Sequence, residues 1–285
     1  MNVLSFGEIL WDVYPDEKYI GGAPLNFAAH FSKLGGVAHM LSALGDDELG
    51  RLALRKIRAW NIGDEYIGID PDHQTGKCIV TLENGTPTYD LLGDTAYDHI
   101  DCSVTGMSFD ALYFGTLALR SGENMNGLSG VIKNNAFGEI FVDVNIRAPF
   151  YSEKSILFAF ENATLIKISE EELPVVSRVL FRREYGYTEA AKAISERFAN
   201  IGTVIVTRGA EGSFAYEALT GKSYSADAVK VDVVSTVGAG DSFSAAFMHG
   251  YLSGKDTDEC LHRAGRLSAF VVSKADAIPE EDFAL

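Results

Sequence analysis

Short apolar runs alternate with amphipathic segments along most of this chain, and that rhythm restricts its fold more than any other feature. Val3 to Phe6 reads as a buried strand. Pro24 to Leu34 reads as a helix, with Pro24 suited to its first turn. Val37 to Leu44 is strand-like, and Asp46-Asp47-Glu48 opens a helix that runs to Trp60. Further strands are expected at Ala111–Phe114, Glu139–Val144, Thr164–Ile168 and Thr203–Thr207. Helical patterns lie at Asn124–Asn134, Glu153–Glu161, Thr188–Phe198, Gly240–Leu252 and Asp256–Ser273. Such alternation predicts a parallel sheet covered on both sides.

The rhythm breaks between about Tyr66 and Ile100. Cys78-Ile79-Val80-Thr81-Leu82 and Thr88-Tyr89-Asp90-Leu91-Leu92 read as consecutive strands, with a hairpin turn at Glu83-Asn84-Gly85-Thr86. The insert is either a small sheet standing off the body, as a lid or dimer contact, or a plain edge hairpin.

Thr236-Val237-Gly238-Ala239-Gly240-Asp241-Ser242-Phe243 is the segment richest in chemistry. A small-residue turn precedes a helix whose apolar face carries Phe243, Ala246, Phe247, Gly250 and Tyr251. Amides at a helix start have no partner within the helix and attract anions. Asp241 therefore places an acid beside a candidate phosphate cradle. It either complements the helix dipole or takes part in chemistry. Gly21-Gly22-Ala23-Pro24-Leu25-Asn26 is a second glycine turn entering a helix. Asn26 suits a polyhydroxylated ligand, or a cap. Asp12 is either an acceptor for paired hydroxyls or a loop acid. Asp143-Val144-Asn145-Ile146-Arg147 and Thr207-Arg208-Gly209-Ala210-Glu211-Gly212 fall at strand carboxyl ends, where open parallel sheets bind ligands. A Walker loop is absent: Gly221-Lys222-Ser223 comes closest, but Tyr216 stands where its first glycine belongs. A Gly-x-Gly-x-x-Gly after the first strand is also missing.

The formal net charge of −16 over 285 residues argues against nucleic acid or an anionic membrane as partner. An anionic nucleotide would then arrive with a divalent metal. Three scattered cysteines, Cys78, Cys102 and Cys260, point to a reducing compartment. Met1 to Glu8 has no basic, apolar leader pattern, so a cytoplasmic location is expected.

Taken together, these motifs resemble the PfkB, or ribokinase-like, family of carbohydrate kinases. Gly21-Gly22-x-x-x-Asn26, Asp143-x-Asn145-x-Arg147, Lys167-x-Ser169-x-x-Glu172, Thr207-x-Gly209-x-x-Gly212 and Gly238-Ala239-Gly240-Asp241 occur in the family's order. Gly-Gly-Ala-Pro, Asp-Val-Asn-Ile-Arg and Glu170-Glu171-Glu172-Leu173 look most like bacterial fructokinases. The resemblance implies a three-layer α/β/α domain over 1–285, with a β lid from 10–20 and 66–100. It implies transfer of the γ-phosphoryl of ATP to a primary hydroxyl, with fructose to fructose 6-phosphate as the leading case. Ribose, a nucleoside or 2-keto-3-deoxygluconate are alternative acceptors, and a non-catalytic sensor is a further one. Asp241 would be the base, and Gly238, Ala239 and Gly240 the anion hole. Asp12, Gly22, Asn26 and Arg147 would hold the sugar, and Lys167, Thr207, Gly209 and Gly212 the nucleotide. Glu172 would organise hydrated Mg²⁺. Ser235 replaces the Asp that helps ligate a monovalent cation in many members, which puts K⁺ activation in doubt. A homodimer through the lid is the expected assembly.

Overall fold

The computed structural model describes residues 1–83, 86–281 and 283. The expected hairpin turn at Asn84-Gly85 lies outside them. Nine strands form the large sheet, in the order β13-β12-β11-β10-β9-β8-β1-β4-β5. They are β1 (Asn2–Phe6), β4 (Val37–Gly45), β5 (Gly63–Asp70), β8 (Ser108–Phe114), β9 (Ala136–Asp143), β10 (Leu165–Ser169), β11 (Thr203–Thr207), β12 (Ser213–Glu217) and β13 (Lys222–Ala226). The first seven pair in parallel, and β12 and β13 add an antiparallel edge.

Strand side chains alternate between two cores, because successive residues point to opposite faces. Leu4, Phe6, Leu112, Phe114, Val142, Ile166 and Val204 join one core. Val3, Ala111, Tyr113, Phe141, Leu165 and Ile205 join the other. Helices α3 (Gly122–Asn134), α4 (Glu153–Asn162), α5 (Leu173–Phe181) and α6 (Tyr187–Arg197) cover the first face. The second is covered by α1 (Ala23–Lys33), α2 (Glu48–Ala59), α7 (Ala239–Leu252) and α8 (Thr257–Val272). The fold is thus the expected three-layer α/β/α arrangement. The anticipated helices appear with ends displaced by one or two residues, the usual uncertainty of helix termini. The α5 helix, which begins at Leu173 behind Glu172, adds to the sequence-based set.

Four further strands build the small sheet, in the order β3-β2-β6-β7: β2 (Leu10–Val13), β3 (Lys18–Gly21), β6 (Gly76–Glu83) and β7 (Thr86–Leu91). The expected lid boundary at 66 is corrected here. Gly63–Asp70 pairs with β4 and belongs to the large sheet. A polar edge strand followed directly by lid strands carries no sequence signal for which sheet it joins. Among the described residues, no helix is long and apolar enough to cross a membrane.

Candidate active site

The carboxyl ends of β1, β9, β10 and β11, the lid and the α7 N-terminus enclose one cleft of about 2160 Å³. At one end, β1 stops and the chain crosses into β2. Glu8 at this crossing is 3% exposed. Its Oε1 accepts from the Ala23 N–H over 3.2 Å, while its buried Oε2 has no partner. Gly22, at φ 113°, caps the α1 N-terminus, and a Cβ there would come within 2.3 Å of the Glu8 carbonyl. Only glycine lets the turn pass this close.

Asn26, in the first turn of α1, donates from Nδ2 to Asp241 Oδ2 over 2.7 Å. The contact joins residues 215 positions apart and sets the two glycine turns face to face. Asn26 Oδ1 is buried without a partner. Asp12 enters from the lid, opposite Cys78 in the β2–β6 register. Its carboxyl is pushed up by burial and pulled down by Arg147. The Arg147 charge also lowers Glu8 and Asp241, so this exposed side chain faces the same acids.

Asp241 opens toward the cleft yet lies deep enough for burial to push its carboxyl up to about 6. The Asn26 hydrogen bond opposes that shift, Asp143 adds to it, and Lys167 and Arg147 oppose it. Glu8 is pushed up to about 7, again chiefly by burial.

Behind Asp241 the chain makes the expected turn. Gly238 caps α7 at φ 78°, and a Cβ there would meet Ala277 at 2.8 Å. The Ala239 N–H turns back to the Thr236 carbonyl over 3.3 Å. Among the described residues, the Gly238, Gly240 and Asp241 amides have no backbone acceptor. Ala239 is therefore the weaker of the expected donors, and the Asp241 amide is an unanticipated one. Lys167 was expected to reach the nucleotide from the end of β10. It lies buried beneath the turn in the cleft floor, with Nζ 2.6 Å from Asp143 Oδ2 and 3.3 Å from a Cβ built on Gly240. Asp143 Oδ2 also accepts from Ser244 Oγ at 3.0 Å and Tyr113 OH at 3.3 Å.

At the other end, Thr207, Gly209 and Gly212 line the cleft, and the Arg208 N–H donates to the Gly212 carbonyl over 2.8 Å to close their turn. Val229, Val231 and Val233 form an exposed apolar wall on the same cleft. Glu172 braces two strand ends: Oε1 accepts from the Ile146 N–H at 2.5 Å, and Oε2 from the Ser169 N–H at 2.7 Å. Only its remaining lone pairs could face a hydrated ion, which fits an indirect role better than direct ligation. Ser235 Oγ accepts from the Val237 N–H at 3.3 Å, so the residue at the doubtful K⁺ position serves its own loop.

All of the expected site residues line this cleft, and the two buried ones, Asn26 and Lys167, lie in its floor. Sequence reasoning missed Glu8. The signal was a charged residue directly after a buried apolar strand, which must find a partner or a ligand.

Comparisons with known proteins supply the family and the fold. The model of the pfkB family carbohydrate kinases matches residues 7–282. Probable fructokinase-4 of Arabidopsis thaliana is 27% identical over 314 residues, covering 97% of this chain and 92% of the relative. The 5-dehydro-2-deoxygluconokinase of Bacillus subtilis (strain 168) is 25% identical over 298 residues, covering 98% and 89%. Among solved structures, the fructokinase of Vibrio cholerae O395 with bound fructose, ADP and calcium superposes with a TM-score of 0.84 at 21% identity, covering 97% of this chain and 94% of that one. The aminoimidazole riboside kinase of Salmonella enterica gives 0.83 at 21%, covering 98% and 96%. With its cleft built from two opposed glycine turns and its sequence matched almost end to end, the chain belongs to the pfkB family of carbohydrate kinases.

Proposed function

We propose that this sugar kinase transfers the γ-phosphoryl group of ATP to a primary hydroxyl of a neutral sugar, with fructose to fructose 6-phosphate as the leading reaction. The observation that carries the reading is the Asn26–Asp241 hydrogen bond, flanked by the unpaired acceptors Asn26 Oδ1 and Glu8 Oε2. Buried acceptors without donors cost about 1–3 kcal/mol each. A hydroxyl-rich ligand supplies the missing donors. Glu8, Asp12 and Asp241 at this end disfavour a sugar acid. Arg147 is the feature that favours one, as the second reading.

In this mechanism, the acceptor oxygen attacks the γ-phosphorus as the bond to the ADP oxygen breaks. The acceptor proton passes to an Asp241 carboxylate oxygen. The Gly238, Gly240 and Asp241 amides, with the Lys167 charge beneath, hold the migrating group. The transition state is largely dissociative, so positioning and charge stabilisation dominate. Orientation can supply about 7–11 kcal/mol, against about 3–5 kcal/mol for a general base. The Val229–Val233 wall suits the nucleobase. Mg²⁺, organised through Glu172, would neutralise phosphate charge when bound. Lid closure would exclude water from the site.

The test is ADP release over a panel of fructose, ribose, nucleosides and 2-keto-3-deoxygluconate. Release that depends on fructose supports the reading. Release only with a sugar acid transfers it to the second. Ligand binding without release from any acceptor identifies a sensor and refutes both.

A further inference from the structure

Outside the cleft, the two crossings between the body and the lid hairpin meet at a cluster of histidines and acids. The connection from β5 to β6 carries His73, and the segment after β7 carries Asp94 and His99. We propose that His73, Asp94 and His99 form a binding site for a transition-metal dication of the zinc class, separate from the ion that accompanies the nucleotide.

The geometry suits such an ion. One ligand atom from each residue lies within 4.8 Å of the others. His99 Nε2 is 2.9 Å from Asp94 Oδ1, and His73 Nε2 is 3.6 Å from the same oxygen. Bonds of about 2.0 Å in a tetrahedral shell place neighbouring ligand atoms about 3.3 Å apart. The two observed separations bracket that value; the His73 and His99 rings stack at 3.8 Å with 16° between their planes, so unstacking partly exposed His99 is the rearrangement that would seat an ion. The support is also present. His73 Nδ1 lies 2.9 Å from Asp70 Oδ2, which fixes its ring and leaves Nε2 for a metal. A carboxylate behind a ligating imidazole is the usual outer partner in metal sites.

The frame that carries the ligands is held in place. The Thr75 N–H donates to Asp47 Oδ2 at 2.9 Å, and the Ala96 N–H to the Gln74 carbonyl at 2.9 Å. Arg120 forks onto Asp98 with two bonds of 2.7 Å. The two crossings are thus linked before any ion binds, which lowers the ordering cost of binding one. Two imidazole nitrogens and one carboxylate oxygen select zinc, cobalt or nickel over magnesium. Exposed Asp94 leaves the outer side open, so water completes the shell. An ion here would tie the strand entering the lid to the segment leaving it.

The test uses the full-length chain freed of metal by chelation, titrated with Zn²⁺ by calorimetry and with Co²⁺ by visible absorption. The expected result is one ion per chain at this site, with the d–d bands of a four-coordinate Co²⁺ centre and a raised melting temperature. His99→Ala and Asp94→Asn each remove that binding event and the thermal shift. Asp70→Asn weakens it roughly 10–100-fold. Mg²⁺–ATP turnover is unchanged in the His99→Ala chain, which separates this site from the phosphoryl-transfer reading. Absence of stoichiometric Zn²⁺ binding, or binding that both the His99→Ala and Asp94→Asn chains retain, overturns the proposal.

Discussion

The two ends of the cleft are chemical opposites. The end built from β1, α1 and the lid offers acceptors: Glu8, Asp12, Asn26 Oδ1 and Asp241. The end built from the α7 turn offers donors: free amides above a buried ammonium. One end therefore asks for hydroxyl hydrogens and the other for phosphate oxygens. Asp241 is the residue at the seam. Its carboxyl belongs to the first set and its amide to the second, and in the proposed reaction this would put the proton acceptor beside the reacting phosphorus without a separate catalytic loop.

The largest expected effect comes from breaking the donor end. Lys167→Met leaves the Asp143 carboxylate buried without its counter-charge, held only by the Ser244 and Tyr113 hydroxyls, so stability in urea should fall by about 3–5 kcal/mol. Adding Asp143→Asn should recover most of that loss. A single variant as stable as the parent would show that the pair does not support the turn.

A second prediction separates the ends by pH. Asp241 must be ionised to accept a proton, and burial holds its carboxyl at about 6. The value of kcat/KM should rise tenfold per unit below that pH and level off above it. Glu8, raised to about 7 chiefly by burial and further by the Asp241 charge, titrates in the same region. Both carboxyls bind protons more tightly folded than unfolded. Stability should therefore fall as pH rises from about 4 to about 7. An activity profile flat from pH 5 to 8 would remove Asp241 from the base role.

The smallest effect sharpens the acceptor end. Asn26→Ala should raise the KM for the acceptor sugar by about tenfold, one good hydrogen bond's worth, with the KM for ATP unchanged. An equal change in both constants would mean that Asn26 merely holds the two turns together.

Much of the fold was legible because the buried strands of a parallel sheet are short and apolar, and the helices between them carry caps and periodic faces. The large sheet was read from β1, β4, β8, β9, β10 and β11 on this basis. The misplaced boundary at β5 has a physical cause. Gly63, Asp64 and Glu65 mark an edge strand, and pairing partners are set by contacts distant in sequence. The antiparallel β12–β13 edge was missed for the same reason. In the site, short motifs located Asp241, Asn26 and the glycine turns, because backbone geometry there tolerates few residue types. Lys167 was placed near the nucleotide by the family resemblance, with a surface lysine as the alternative, and its burial was not legible in the sequence. Its burial follows from Asp143, whose partners come from β8, β10 and α7. No local pattern encodes such a meeting. Glu8 escaped notice because its importance lies in an oxygen that nothing satisfies.

The most direct test of the account is single-turnover phosphoryl transfer by the Asp241→Asn chain, with sugar and ATP binding measured alongside. The variant keeps a group that can accept the Asn26 hydrogen bond and removes a buried charge, so it should fold at least as stably as the parent at pH 8. The account predicts that both ligands still bind while transfer slows by at least about 10²-fold. Transfer within a few-fold of the parent, with both ligands bound, would contradict it.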